Sequence, residues 1–225
     1  MKKLLQINVV ANWGSTGRIA EEIGITAINQ EWDSYIAYGR KTRESKSKLI
    51  KIGNKWDIGF HGLKSRLFDM HGFGSKHATL KFIEYIKKLK PNIIHLHNIH
   101  GYYINIELLF NYLETADIPI IWTLHDCWPF TGHCAHFDSI GCKRWEQKCF
   151  SCPQKDTYPS SCFFDKSKEN FDNKKTLFNS VSNLTIVPVS NWLASVVSRS
   201  FLSSFDIKVI NNGISIDTFY PQVNI

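Results

Sequence analysis

Short, nearly continuous apolar runs alternate with stretches whose apolar residues recur at helical spacing. This alternation constrains the fold more than any other feature of the 225-residue chain. The runs are Leu4 to Val10, Ser34 to Tyr38, Leu49 to Ile52, Ile93 to Leu96, Pro119 to Leu124, Leu184 to Val189 and Ile207 to Ile210. Most lack the in–out alternation of half-exposed strands, as strands buried on both faces do. Between them, Ile19, Ala20, Ile23 and Ala27 make one helical stripe. Leu80, Ile83 and Ile86 make a second, with Ser75 as candidate cap and Lys87-Lys88-Leu89-Lys90-Pro91 as stop. Leu108, Leu109, Tyr112 and Leu113 form a third, and Leu193, Val196, Val197 and Phe201, after Ser190, a fourth. The alternation predicts an α/β fold, a doubly wound, Rossmann-like parallel sheet covered by helices on both faces. Ligands of such sheets sit beyond the carboxyl ends of the strands, so residues that follow strands are the functional candidates.

Hydrophobic residues make up 43% of the chain and charged residues 21%, the balance of a globular protein. No apolar run reaches the ~18 residues of a membrane-spanning helix. Gln6 and Asn8 interrupt the apolar start, and no small-x-small cleavage site follows before a glycine-rich turn. The start therefore reads as a first strand and the protein as cytoplasmic. With 27 basic against 20 acidic residues the net charge is +7, which suits a phosphate-bearing or membrane-surface partner and equally plain solubility. Nucleic acid is not expected as a partner.

Two regions break the rhythm. Residues 54 to 74 hold Trp56, Phe60, Leu63, Leu67, Phe68 and Phe73 with Lys55, Lys64 and Arg66. An amphipathic helix is expected here, either packed in the core or forming a lip that touches lipid or a lipid-linked acceptor. Residues 125 to 165 form a long loop with most of the cysteines, and a connection of that length is usually functional or separately stabilised.

Three strand ends carry candidate chemistry. The first strand runs into Gly14-Ser15-Thr16-Gly17-Arg18 and then a helix. Glycines let a backbone approach an anion, and a helix start offers unpaired N–H groups, although the same turn also serves as a plain connection. The spacing matches neither the dinucleotide nor the P-loop fingerprint. The fourth strand ends in His95-Leu96-His97-Asn98-Ile99-His100-Gly101-Tyr102-Tyr103. Period two puts His95 and His97 on one side. His97, Asn98, His100 and Tyr102 are expected to line a substrate cleft, and an H-x-H metal centre is the alternative. The fifth strand ends in His125-Asp126, where His125 would orient or stabilise a bound group and Asp126 would fix its tautomer or bind a hydroxyl. Trp128 follows, able to stack on a sugar face or to anchor the loop.

Cys134, Cys142, Cys149 and Cys152 supply four thiols, the last two as C-x2-C, in a loop of little apparent apolar content. The spacing suits a structural zinc, with His133 and His136 as substitute ligands; free cysteines, a redox pair or disulfides are the alternatives.

Together these segments resemble the N-terminal half of a GT-B glycosyltransferase of the large retaining family 4, in the branch that builds colanic acid, capsular and other surface polysaccharides. The stretches that carry the resemblance are Gly14 to Ala20, His95 to Tyr103, Trp122 to Gly132, Asn211 to Ile214 and Asp217 to Pro221. The resemblance implies an acceptor-binding domain over 1–220, with the cysteine-rich insertion at about 127–165. It implies a linker starting at 221–225, and a donor-binding C-terminal domain absent from this chain, which alone would be weakly active or inactive. It further implies a nucleotide sugar as donor, approached by Gly14, Ser15, Thr16, Gly17 and Arg18, with His125 and Asp126 beside the transferring sugar. His97, Asn98, His100, Tyr102 and Trp128 would face a glycan or lipid-linked acceptor. No catalytic metal is expected, and the protein would be cytoplasmic or peripheral at the inner face of the cell membrane. The alternatives are a metal-dependent hydrolase using His95, His97, His100, His125 and Asp126, and a non-catalytic module that binds through its zinc loop.

Overall fold

The structure is a computed structural model and describes residues 1–214 and 216. Seven strands form one parallel sheet in the order β3-β2-β1-β4-β5-β6-β7. They are β1 (Lys3–Asn8), β2 (Asp33–Tyr38), β3 (Lys48–Lys51), β4 (Ile93–Leu96), β5 (Ile120–Leu124), β6 (Leu184–Pro188) and β7 (Asp206–Ile207). The helices are α1 (Gly14–Asn29), α2 (Lys55–Phe68), α3 (Lys76–Leu89), α4 (Ile106–Thr115), α5 (Ser167–Asn179) and α6 (Asn191–Val197). All seven strands match the apolar runs. The last paired segment is shorter than expected, although Lys208 N and Ile210 N still donate to Ile186 O and Pro188 O. The motif segment Asp217 to Pro221 and the linker at 221–225 lie outside the described residues.

Strand order reverses between β1 and β4, the two central neighbours. Chain direction then divides the helices. Right-handed crossovers put the connection that runs toward β2 on one face and those that run toward β7 on the other. The main core accordingly lies on the second face. Ile94, Leu96, Trp122 and Ile186 from the sheet pack there with Ile86, Phe110, Phe178 and Val197 from α3 to α6. On the other face α1 packs closely at Gly24, where a Cβ would stand 2.3 Å from Ser47 Oγ. Among the described residues α1 alone covers that face. Beside it runs an open groove of about 570 Å³ lined by Ile23, Ile93, Ile121 and Val187. Helices on both faces were expected; the second layer is a single helix because, of the two connections that run that way, β1 to β2 and β2 to β3, only the first carries a helix.

Local chemistry explains most helix ends. Asn54 and Asp57 form a reciprocal capping box that starts α2. Ser190 Oγ accepts from Leu193 N at 3.1 Å and caps α6. Ser75 does not cap α3 through its side chain: it sits at φ 52 and its hydroxyl donates to Tyr102 O instead. No helix among the described residues is long and apolar enough to cross a membrane.

Candidate functional site

The carboxyl ends of β1, β4 and β5 lie side by side on one edge, and hydrogen bonds tie the segments that follow them. Asn8, at the end of β1, is fully buried. Its Nδ2 donates to Val10 O at 2.9 Å and to Thr16 Oγ1 at 3.3 Å, while its Oδ1 accepts from Asn98 N at 3.2 Å. One side chain thus fixes the glycine-rich turn against the β4 loop. Within that turn Gly14 has φ +62 and open space where a Cβ would be. A Cβ at Gly17 would instead meet Val10 Cγ2 at 3.1 Å and Asn12 N at 3.2 Å, so Gly17 serves packing inside the turn. Gly14, Ser15 and Arg18 are exposed, and no side chain caps the α1 amides.

The histidines form two separate networks. His95 Nε2 lies 2.8 Å from Thr123 Oγ1, and its ring stacks on His97 at 4.2 Å. His97 is only 2% exposed, so it does not line a cleft as expected. Its Nε2 lies 3.1 Å from Gln6 Oε1 and its Nδ1 3.2 Å from His125 Nε2. In the second network His100 Nε2 lies 2.8 Å from Asp126 Oδ2, and its Nδ1 lies 3.1 Å from Tyr158 OH. Asp126 Oδ1 accepts from Trp128 N at 2.9 Å. His71, Tyr102 and Trp128 close around this network, with ring separations from His71 of 4.9 Å to Tyr102 and 5.3 Å to Trp128.

Burial sets the protonation states. It holds the pKa of His95 and His125 down to about 4, in His125 against the pull of neighbouring Asp126, and it depresses fully buried His97 and His71 further. For Asp126, burial pulls the carboxyl upward, but the charge and hydrogen bond of His100 outweigh it and bring it below the usual range. Burial raises the Tyr158 phenol well above its ordinary value, so that group is a neutral donor or acceptor.

Three expectations need correction. Trp128 is 1% exposed, with Lys174 Nζ 3.5 Å from its ring centroid, so it offers no face to a sugar. The histidine cluster is not a metal centre. Its ring nitrogens engage Thr123, Gln6, Asp126 and Tyr158 separately, and no group of three or more potential ligands among the described residues is arranged to hold a metal. The structure likewise gives no support to the proposed zinc site. Cys134, Cys142, Cys149 and Cys152 line one cavity of about 20 Å³ without forming a ligand set. Burial pushes the Cys149 thiol up to about 11, and a hydrogen bond to Cys134, then burial, raises that of Cys152.

Other groups hold the loop. Phe130, Phe137 and Trp145 make an aromatic core, with the last two rings stacked at 4.7 Å. His133 Nδ1 pairs with buried Asp69 at 2.6 Å. Burial opposes the charge on His133, but the bond to Asp69 and its charge prevail and raise the pKa. Lys174 donates to Trp128 O at 2.8 Å and Thr131 O at 3.1 Å, although burial lowers its pKa to about 7.

Sequence reasoning missed Gln6, Asn8 and Tyr158. The first two were visible as polar breaks in an apolar strand; Tyr158 comes from a loop whose path the sequence does not reveal.

No protein-family model matches the chain. It is 28% identical over 230 aligned residues to the "Putative colanic acid biosynthesis glycosyl transferase WcaC" of Escherichia coli (strain K12), covering 96% of this chain and 55% of that protein. Among solved structures it is similar to sucrose-phosphate synthase from Thermosynechococcus elongatus, at TM-score 0.56 and 11% identity, over 99% of this chain and 51% of the other. The chain thus spans about half the length of the proteins it matches. Its sequence and its fold agree with the resemblance carried by its motifs, that of a GT-B glycosyltransferase half.

Proposed function

We propose that the chain is the acceptor-binding half of a retaining GT-B glycosyltransferase, which moves a sugar from a nucleotide sugar to a glycan or lipid-linked acceptor in surface polysaccharide synthesis. The observation that carries this reading is the hydrogen bonding of three strand-end groups into one edge: Thr16 through Asn8 to Asn98, His97 to His125, and His100 to Asp126. Similarity to a protein named for colanic acid biosynthesis supports the reaction class. Residues 1–220 make up the acceptor domain, with about 127–165 as its insertion, and a second domain holds the donor nucleotide.

In this reading the α1 amides at Gly14 and Ser15, with Arg18, approach the donor diphosphate. His125 lies beside the transferring sugar. Asn98, His100, Tyr102 and Tyr158 meet the acceptor, and Asp126 fixes the ring of His100. The acceptor hydroxyl oxygen bonds to the anomeric carbon as the bond to the diphosphate breaks, and its proton passes to the departing phosphate. No protein nucleophile is needed, and what the chain supplies is fixed dipoles and orientation.

A lipid-linked acceptor suits the outer face of α2. Trp56 and Phe60 are 77% and 63% exposed, Leu63 and Phe68 are also exposed, and Lys55, Lys64 and Arg66 flank them. Aromatic and basic residues on one helix favour an anionic lipid interface. The inner side of the same helix carries His61, whose ring is 5.7 Å from Tyr102. Peripheral contact with the inner face of the cell membrane would therefore bring lipid close to the acceptor groups.

The test is a transfer assay. The protein, supplied with a donor-binding half in cis or in trans, is given a panel of UDP- and GDP-sugars and extracted lipid-linked acceptors. Transfer with retained anomeric configuration that falls at least about tenfold in His125→Ala, a loss equivalent to one transition-state hydrogen bond, supports the proposal. Transfer indifferent to His125, or none from any donor while His125→Ala and the parent remain folded, overturns it.

A further inference from the structure

The two ring nitrogens of His125 are chemically distinct, and the structure determines which carries the proton. The Gln6 side-chain amide nitrogen donates to Ala20 O at 2.7 Å, a carbonyl that can only accept. This orients the amide so that Gln6 Oε1 faces His97 at 3.1 Å. A carbonyl oxygen cannot donate, so His97 Nε2 carries a hydrogen. The His97 ring is neutral because it is fully buried, which leaves its Nδ1 bare. That nitrogen lies 3.2 Å from His125 Nε2, and only a donor satisfies it. His125 is neutral in turn. Its single ring hydrogen is spent on His97, and its Nδ1 has no hydrogen-bond partner among the described residues.

We propose that Gln6 and His97 are positioning residues that lock His125 in its Nε2–H tautomer, so that its Nδ1 lone pair accepts a hydrogen bond from a hydroxyl of the bound sugar. The relay starts at the backbone of α1, crosses β1 and β4, and ends at the tip of β5. Every member before His125 is buried, so water does not compete for the bonds. The trans-strand pair Gln6↔His95 sets the register, and Trp122 Nε1, donating to His97 O at 3.0 Å, holds the His97 backbone. His95 stacks on His97 and limits its rotation. The device makes His125 an acceptor and not a donor. A neutral acceptor recognises a hydroxyl; it does not stabilise the negative charge on a departing phosphate. The tautomer lock follows from this chain alone, and only the identity of the ligand rests on the glycosyltransferase reading.

Two measurements keep those parts apart. The first needs no substrate: long-range nitrogen–proton NMR of the histidine rings at pH 6.5. A bare Nδ1 and a protonated Nε2 on both His97 and His125 are expected. An Nδ1–H tautomer or a charged ring at His125 overturns the proposal, whatever the protein catalyses. Gln6→Met removes the acceptor and should convert His125 to a mixture of tautomers. Retention of the Nε2–H form alone in Gln6→Met overturns the role of Gln6. If Gln6→Met does not fold, the parent spectrum still decides the lock. The second measurement uses the transfer assay with singly deoxygenated donor sugars. One missing hydroxyl should slow transfer about tenfold in the parent, the worth of one hydrogen bond, and make no difference in His125→Phe. Equal sensitivity of parent and His125→Phe to every deoxy position overturns the assignment of the sugar hydroxyl and leaves the tautomer result standing.

Discussion

Acid should unfold this protein early, through its histidines and not its carboxylates. Burial lowers the pKa of His61, His95 and His125 to about 4, from the 6.5 of an exposed ring. Between those values the unfolded chain binds protons that the folded chain refuses. Stability is therefore fully present above pH 6.5 and is lost as pH falls toward 4. At pH 5.0 the loss covers one and a half pH units, at about 1.4 kcal/mol per unit, or about 2 kcal/mol for each histidine. Three such groups remove about 6 kcal/mol, against a typical total of roughly 5–15 kcal/mol. His71 and His97, depressed further, act in the same direction. Other perturbed groups do not cancel this. The raised pKa of His133 gives stability that is intact below pH 6.5 and lost as pH rises. The contribution of Asp126 disappears only below 3.8. Lys174, lowered to about 7, titrates mainly on the alkaline side.

Urea unfolding at pH 7.5, 6.0 and 5.0, followed by tryptophan fluorescence, measures the effect. Buried Trp122, Trp128 and Trp145 supply the signal. Unfolding free energy should drop by about 6 kcal/mol or more from pH 7.5 to 5.0, with a limiting slope near three protons or above. His95→Gln should flatten the profile by about 2 kcal/mol over the same interval, one proton fewer. A free energy constant within about 1 kcal/mol across that range would refute the premise that these rings are buried and neutral.

Two further outcomes follow from the cysteine-rich loop. Asp69→Asn preserves a residue tolerant of the left-handed φ of 51 but removes the charge paired with buried His133, and should cost about 3 kcal/mol in urea unfolding; a change below about 1 kcal/mol would mean that the pair does not anchor the loop. In native protein at pH 8, a thiol reagent read by mass spectrometry should modify exposed Cys162 first and Cys127 last, since Cys127 is 1% exposed and out of the reagent's reach. Early labelling of Cys127 would contradict its burial.

The strands were legible because apolar side chains on both faces make continuous runs, and α3, α4 and α6 because their stripes face an apolar core; Ile19, Ile23 and Ala27 of α1 instead line the open groove. Helix α5 was not. Its buried side includes Ser167, Asn170 and Lys174 as well as Phe171 and Phe178, so polar residues occupy positions where periodicity looks for apolar ones. Two of the polar residues bond carbonyls outside the helix: Lys174 bonds Trp128 O and Thr131 O, and Asn170 bonds Asp69 O. The loop was misread for a related reason. Its cysteines dominate the sequence, while Phe130, Phe137 and Trp145 are too far apart in the chain to register as a core. At the site, the strand-end positions were visible, but which residues reach solvent was not. His97 and Trp128 look like ligand contacts until their neighbours are known.

The pleat itself explains why the site sits where it does. Leu5, Ile7, Ile94, Leu96, Trp122 and Leu124 point into the main core. The alternate positions of the same strands carry Gln6, Asn8, His95, His97, Thr123 and His125 toward the face that α1 covers. Buried polar groups on that face are costly unless bonded. They are bonded to one another and to α1, in pairs that span β1 to β4 and β4 to β5. Each strand therefore does two tasks, one face making the core and the other fixing ring orientations. A side chain on a central strand moves less than one on a loop, so His97 and the base of His125 are held by the sheet. The Gly14–Arg18 segment, the first turn of α1, is tied to the same sheet through Asn8 and Thr16, whereas Tyr158 reaches His100 from a loop.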